Sequence, residues 1–160
     1  MSKYKFIIEY SPKGDIENDS KDTVFLDDYL HVSQTALLPF HKYENTNYFI
    51  FIWGNLISNG KIINDISESN IKSLVDLENC KNHNGSFVLC IYKKTDNSLV
   101  IVNDRFASLP LFSTYNSNKY YFSSSFKYLF DTNNRKVNEM AIFEFIYFRR
   151  IFGDKTYDDN

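Results

Sequence analysis

The sequence is short of proline and glycine, with three and five in 160 residues, and no Gly-rich phosphate-binding loop is present. Neither His-Glu-x-x-His nor Gly-x-Ser-x-Gly occurs, so the common zinc-hydrolase and nucleophile-elbow patterns are missing. Cysteine is limited to Cys80 and Cys90. They lack CxxC spacing, so free buried thiols are expected. The histidines, His31, His41 and His83, are scattered. His83 near Cys80 gives two ligand types where a structural zinc site needs about four. No charge sign dominates: 18 basic against 20 acidic side chains leave −2, which gives no general attraction for nucleic acid or an anionic membrane. No apolar run approaches the roughly 20 residues of a membrane span, and Phe6-Ile7-Ile8 is too short for a secretory leader. A cytoplasmic location is expected.

What the chain does have is aromatic side chains, at 18%, with 15 Phe and 12 Tyr. With 43% apolar residues it can bury a core, and one domain over residues 1–160 is expected. Rings pack well on pleated surfaces, so strands are favoured. Alternation predicts a strand over residues 4–10, followed by a turn at Ser11-Pro12-Lys13-Gly14-Asp15. Residues 15–46 show no clear period, and a short helix or strand is expected over residues 23–30. The continuous apolar run over residues 47–53 reads as a buried strand. Gly54-Asn55 follows, then a short strand at Leu56-Ile57 before the Asn59-Gly60 turn. Ile71, Leu74 and Val75 lie at helical spacing within residues 67–77. Beyond Gly85, strands are predicted over 86–92 and 98–102 around Lys94-Thr95-Asp96-Asn97. A second strand pair is predicted over 110–115 and 119–123 around Asn116-Ser117-Asn118. A helical turn over 126–130 and a helix capped by Asn138 and running to Arg150 follow, with Gly153 placed to stop it. Hairpins without regular strand–helix alternation point to antiparallel sheets. Phe49, Phe51, Phe87, Tyr121 and Phe122 are read as core. Lys93-Lys94 and Arg149-Arg150 are read as solvated turn and helix-end charges.

Three segments read together carry a resemblance: Gly85-Ser86-Phe87-Val88-Leu89-Cys90, then Asn103-Asp104-Arg105-Phe106-Ala107-Ser108-Leu109-Pro110-Leu111-Phe112, then Ser123-Ser124-Ser125-Phe126-Lys127-Tyr128-Leu129. With Gly153-Asp154-Lys155-Thr156 they resemble the class II glutamine amidotransferase domain that opens asparagine-synthetase-type enzymes. That family shows Arg-Asp-x-x-Gly-x-x-Pro-Leu-Tyr, Ala-Ser-Glu-x-Lys-x-Leu and Gly-Asp-x-Thr segments in the same order. The likeness covers residues 84–157, and residues 47–57 align loosely with the family's Asn-Gly-Glu-Ile strand and turn. It implies an α+β fold of N-terminal-nucleophile-hydrolase type: a four-layer αββα sandwich of two antiparallel sheets. It also implies a downstream or separate synthetase-type domain as partner, with ATP and magnesium belonging to that domain and no cofactor in this chain. The chain ends where the family continues toward that domain, so it is expected to be the N-terminal part of a longer protein. Self-association into a homodimer stays open.

The resemblance also says which groups glutamine cleavage requires. The family uses an N-terminal Cys whose own α-amine serves as base, placing nucleophile and near-neutral proton acceptor on one residue. Removal of Met1 here exposes Ser2, either an ordinary N-terminus or a weaker nucleophile. The family's oxyanion hole is an Asn-Gly pair. The aligned pair is Trp53-Gly54, with Asn55 one residue late. The Arg that clamps the substrate carboxylate has no match, because no Arg precedes Arg105. Ser67-Glu68-Ser69 aligns weakly with the Asp turn that holds the substrate amine. Asp104 keeps the family's Asp, while Asn103 replaces its Arg. Asp104 and Arg105 read as a loop ion pair or as an interdomain contact, and Ser125 stands where the family has Glu. The expectation is a non-catalytic amidotransferase-like domain supporting an ATP-dependent amide-forming domain. The alternatives are glutamine hydrolysis through Ser2, or a free-standing interaction module.

Overall fold

The computed structural model describes residues 6–16, 22–35, 38–58, 60–63, 66–76, 82–129 and 138–148. Residues 1–128 form one compact unit and residues 129–160 a second. The first unit holds two antiparallel sheets. Sheet A comprises β1 (Phe6–Tyr10), β2 (Thr23–Leu26), β3 (Leu30–Gln34), β9 (Phe112–Asn116) and β10 (Lys119–Ser123), in the order β2-β3-β1-β10-β9. Sheet B comprises β4 (Phe40–Glu44), β5 (Tyr48–Ser58), β7 (Asn84–Lys93) and β8 (Ser98–Asn103), in that order, with the short β6 (Lys61–Ile62) paired to β5. Helix α1 (Glu68–Val75) belongs to this unit, and a 3-10 turn over Phe126–Tyr128 ends it. This is the strand-rich α+β sandwich that the hairpins predict.

Period-two alternation decides what each strand buries. On β5, Phe49, Phe51 and Trp53 point between the sheets, where they meet Phe6 and Ile8 of β1 and Leu30 and Val32 of β3. Rings of Phe49 and Phe51 lie 6.1 Å apart and nearly parallel, and Phe51 and Trp53 follow at 6.0 Å. The alternate residues Ile50, Ile52 and Leu56 face the other way and pack with Ile71 and Leu74 of α1. Both faces of β5 are therefore buried, which explains its continuous apolar sequence. Predicted core residues Phe49, Phe51 and Phe87 are buried. Phe122 packs against the inter-sheet core, whereas Tyr121 lies on the opposite face with its hydroxyl bonded to Glu9.

The backbone differs from expectation in the middle of the chain and at Gly54. The short element expected over residues 23–30 is the strand β2, and the described residues of 15–46 also hold β3 and β4, which the sequence pattern does not place. In β3 the outward residues His31 and Ser33 are as buried as the inward Leu30 and Val32. His31 shares a bond with Thr23 Oγ1 at 3.0 Å and lies 3.8 Å from the Glu9 carboxylate. Lys119 Nζ reaches Glu9 at 3.5 Å and donates to the Asp15 carbonyl at 2.9 Å. Partners of this kind are what allow ionisable groups to be buried.

At Gly54, β5 runs on where the sequence predicts two separate strands. Its φ is +89°, and a Cβ there would stand 2.2 Å from the Ser86 carbonyl oxygen. Gly85, on the paired strand, has φ +113° and a virtual Cβ 2.1 Å from the Asn55 oxygen. Only glycine fits either place, so β5 and β7 close on each other here, and β5 runs on as one eleven-residue strand.

Other local signals appear as predicted. Lys93 pairs with Asp96 at 2.7 Å and Lys94 with Glu44 at 2.9 Å. Cys90 is a free, buried thiol, held well above its usual range by burial. His83 is buried, with no hydrogen bond of normal geometry at either ring nitrogen. Burial lowers its pKa, and the backbone of Ser73 offsets this only in part. In the second unit, α2 (Glu139–Phe148) starts with Asn138 Oδ1 accepting from the Ala141 amide at 2.9 Å. Ser2, Asn59, Leu77, Cys80, Arg149, Arg150 and the Gly153-to-Thr156 segment lie outside the described residues. No described helix is long and apolar enough to cross a membrane.

Candidate functional site

Of the expected site residues, Trp53 and Gly54 lie at one corner between the sheets, and the loop that follows Asp104 reaches Gly54 through Leu109. Trp53 is fully buried there, stacked on Phe6 at 4.3 Å with planes 21° apart, and flanked by Phe40 at 5.6 Å. Its indole N–H donates to Gln34 Oε1 at 3.0 Å. Phe6 opens β1, and the same end of sheet A carries the Ser123-Ser124-Ser125 segment. Ser124 Oγ accepts from the Phe6 amide at 3.3 Å, and Ser123 Oγ donates to the Phe6 carbonyl at 3.3 Å. The entry of the chain into β1 is thus tied to β10 on one side and to Trp53 on the other. Nothing in the sequence marked Gln34 or Phe6 for this corner, since an amide at a strand end and an aromatic at a strand start are ordinary there.

Gly54 supplies a backbone donor, but that donor is already taken. Its N–H points to the Pro39 carbonyl at 2.7 Å, a short and therefore well-formed bond. Asn55 is exposed and pairs with Ser86 in the strand ladder. An oxyanion site needs preorganised donors aimed at empty space where charge develops. At Trp53-Gly54 the space holds an indole and the amide serves a carbonyl. Glu68 and Ser69, from the segment aligned with the amine-binding turn, open α1. That helix packs on the outer face of sheet B, away from the Trp53 face.

Asp104 plays a different part. It is buried, and its carboxylate accepts from the amides of Phe106, Ser108 and Phe87 at 3.0, 3.0 and 3.3 Å, and from the Ser108 hydroxyl at 3.0 Å. Burial alone would raise its pKa; the donors of Ser108, Phe106 and Phe87 outweigh burial and hold it below the usual carboxylate range. Arg105 is exposed and forms no ion pair with Asp104, so the expected loop ion pair gives way to an amide-and-hydroxyl staple. The bond to Phe87 matters for the corner, because Phe87 pairs with Gly54 across the sheet. The same loop sends Leu109 to within 2.8 Å of the virtual Cβ of Gly54. Asn103 helps by donating to the Leu109 carbonyl at 3.4 Å. Ala107, where the motif has Gly, sits at φ +48°, a left-handed conformation that L-residues resist.

Among the described residues, no group of three or more His, Cys, Asp or Glu side chains is arranged to hold a metal ion. Neither the comparison with curated proteins nor that with solved structures returned a match. A family model described as a glutamine amidotransferase domain matches residues 74–158. The matched stretch runs through β7, β8, β9, β10 and α2, and includes Asp104 with its loop. More than half of the sequence lies within that match, and the chain belongs to the glutamine amidotransferase domain family.

Proposed function

We propose that this chain is a glutamine amidotransferase-like domain of N-terminal-nucleophile-hydrolase type that does not hydrolyse glutamine. In this reading it supports an ATP-dependent amide-bond-forming domain of the asparagine-synthetase kind, which takes its amine from elsewhere. ATP and magnesium belong to that second domain. The observation that carries the proposal is the corner at Trp53. A fully buried indole, stacked on Phe6 and bonded to Gln34, occupies the position that the loose alignment of residues 47–57 pairs with the family's oxyanion-hole Asn. Beside it the Gly54 amide is engaged by Pro39. A tetrahedral intermediate would need both donors free. The missing carboxylate-clamping Arg, with Arg105 the first in the chain, weakens substrate capture independently.

The test is ammonia release from L-glutamine by the purified chain, followed by a coupled glutamate dehydrogenase assay. No release above the protein-free rate is expected. Release that disappears in Ser2→Ala would overturn the proposal and favour hydrolysis through Ser2. The supporting role is tested separately, by whether an adenylating synthetase-type domain encoded beside this chain co-purifies with it. Failure of that arm with the first arm intact would favour a free-standing interaction module.

A further inference from the structure

Sheet edges offer unpaired backbone groups, and proteins usually protect them. Among the described residues, the two sheets end in β2 and β9 and in β4 and β8, with the two-residue β6, which carries Lys61, also paired on one side only. β2 has a register shift between Thr23 and Phe25, β4 carries His41, Lys42 and Glu44, and β8 is half-buried throughout. β9, Phe-Ser-Thr-Tyr-Asn, has none of these protections. It carries no charge, no proline and no bulge, and four of its five residues are exposed. Two exposed ring pairs border it: Phe112 with Phe126 at 5.3 Å, and Tyr115 with Tyr120 at 4.6 Å.

The β9–β10 turn fixes which backbone groups point outward. Ser117 and Asn118 have φ of +52° and +64°, the signature of a two-residue type I′ turn. In such a hairpin the residues flanking the turn exchange hydrogen bonds and the pattern then alternates. Asn116, Thr114 and Phe112 therefore bond to β10, while Ser113 and Tyr115 present N–H and C=O to the outside. We propose that β9 pairs antiparallel with β9 of a second copy, about a two-fold axis through Thr114. That register sets Ser113 against Tyr115 of the other copy and the reverse, which uses the outward groups in two reciprocal bonded pairs. Thr114 meets its own equivalent as a close, non-bonded pair, which suits Thr. No like charges meet, so the strand is complementary to itself, as a two-fold contact requires.

The area sets the strength. At 37%, 57%, 41% and 41% exposure, Phe112, Tyr115, Tyr120 and Phe126 offer about 350 Å² of ring surface. The strand itself raises this to about 500 Å² a side, near the lower limit for specific association. A contact of this size fits a reversible, concentration-dependent dimer.

Sedimentation velocity between about 1 and 500 µM tests this. The wild-type chain is expected to pass from monomer to dimer over that range. Thr114→Lys and Thr114→Glu, which set like charges across the axis, should each weaken association at least about tenfold. An equimolar mixture of the two should restore it. Unchanged far-UV circular dichroism and Tm in both variants would separate this from misfolding. A wild-type chain that stays monomeric at the highest concentration overturns the proposal. So does a dimer that neither charge affects, because it would form through another face.

Discussion

Trp53→Ala is the sharpest probe of how the corner between the sheets is built. Trp53 is fully buried among Phe6, Phe40 and Phe51. Truncation removes about 200 Å² of buried apolar surface, worth about 5 kcal/mol at 25 cal/mol per Å². The unfolded chain shields part of that area, which brings the expected loss to about 4 kcal/mol. Gln34 loses its indole donor but is only half-buried, so water can replace that bond at little cost. A loss of this size is a large share of a typical domain's total stability, about 5–15 kcal/mol. Urea unfolding followed by far-UV circular dichroism measures it, with an unchanged m-value showing that the transition stays two-state. Trp53→Phe keeps a ring stacked on Phe6 but loses the N–H and part of the buried ring, and should cost about 2 kcal/mol, well short of the alanine truncation. A Trp53→Ala loss below about 1.5 kcal/mol, with m unchanged, would refute the reasoning, because the indole would then not be a packed part of the core.

Asp104→Asn should destabilise by about 2–3 kcal/mol in urea unfolding at neutral pH, since four donors lose a charged acceptor. The wild-type contribution follows from the lowered folded-state pKa: it is fully present above the unfolded value near 4 and is lost as pH falls through the folded-state value. Urea midpoints across acidic pH should therefore fall less steeply in the variant than in the wild type. Ala107→Gly relieves the left-handed backbone at φ +48° and should raise stability by about 0.5–1 kcal/mol after the added flexibility of the unfolded chain is subtracted. A lowered thermal midpoint would show that the Ala107 methyl, not the backbone, dominates there.

The second half of the fold was legible because its signals are local. The turn residues Asn97, Ser117 and Asn118 adopt the left-handed conformations that such turns need, and Asn138 caps α2 through its own side chain. The middle of the chain was harder to read. In β3, Leu30, His31, Val32 and Ser33 are all buried. The burial of His31 rests on Thr23, eight positions away on a neighbouring strand, and on Glu9, 22 positions away, and neither pairing has a sequence signature. Gly54 resembled a strand end because a lone glycine usually marks one. Only Gly85, two positions along the paired strand, reveals a close approach of two continuous strands. Motif alignment brought Trp53 and Gly54 to notice, but it could not tell that Pro39 holds the amide. Asp104 beside Arg105 suggested a charge pair, while the donors that satisfy the carboxylate are mostly backbone amides, which carry no residue-type signal.

The pairing of β1 with β10 sets the timetable of folding. The first described strand is held on one side by a strand more than a hundred positions later, as in the Phe6–Ser124 bond across 118 residues. Closing so long a loop is entropically expensive before the contacts that reward it form. During synthesis β1 can pair with β3, but its other edge stays open until β10 has left the ribosome. A chain interrupted before Lys119 would carry an unsealed, aromatic-rich sheet, the kind of species that aggregates rather than waits.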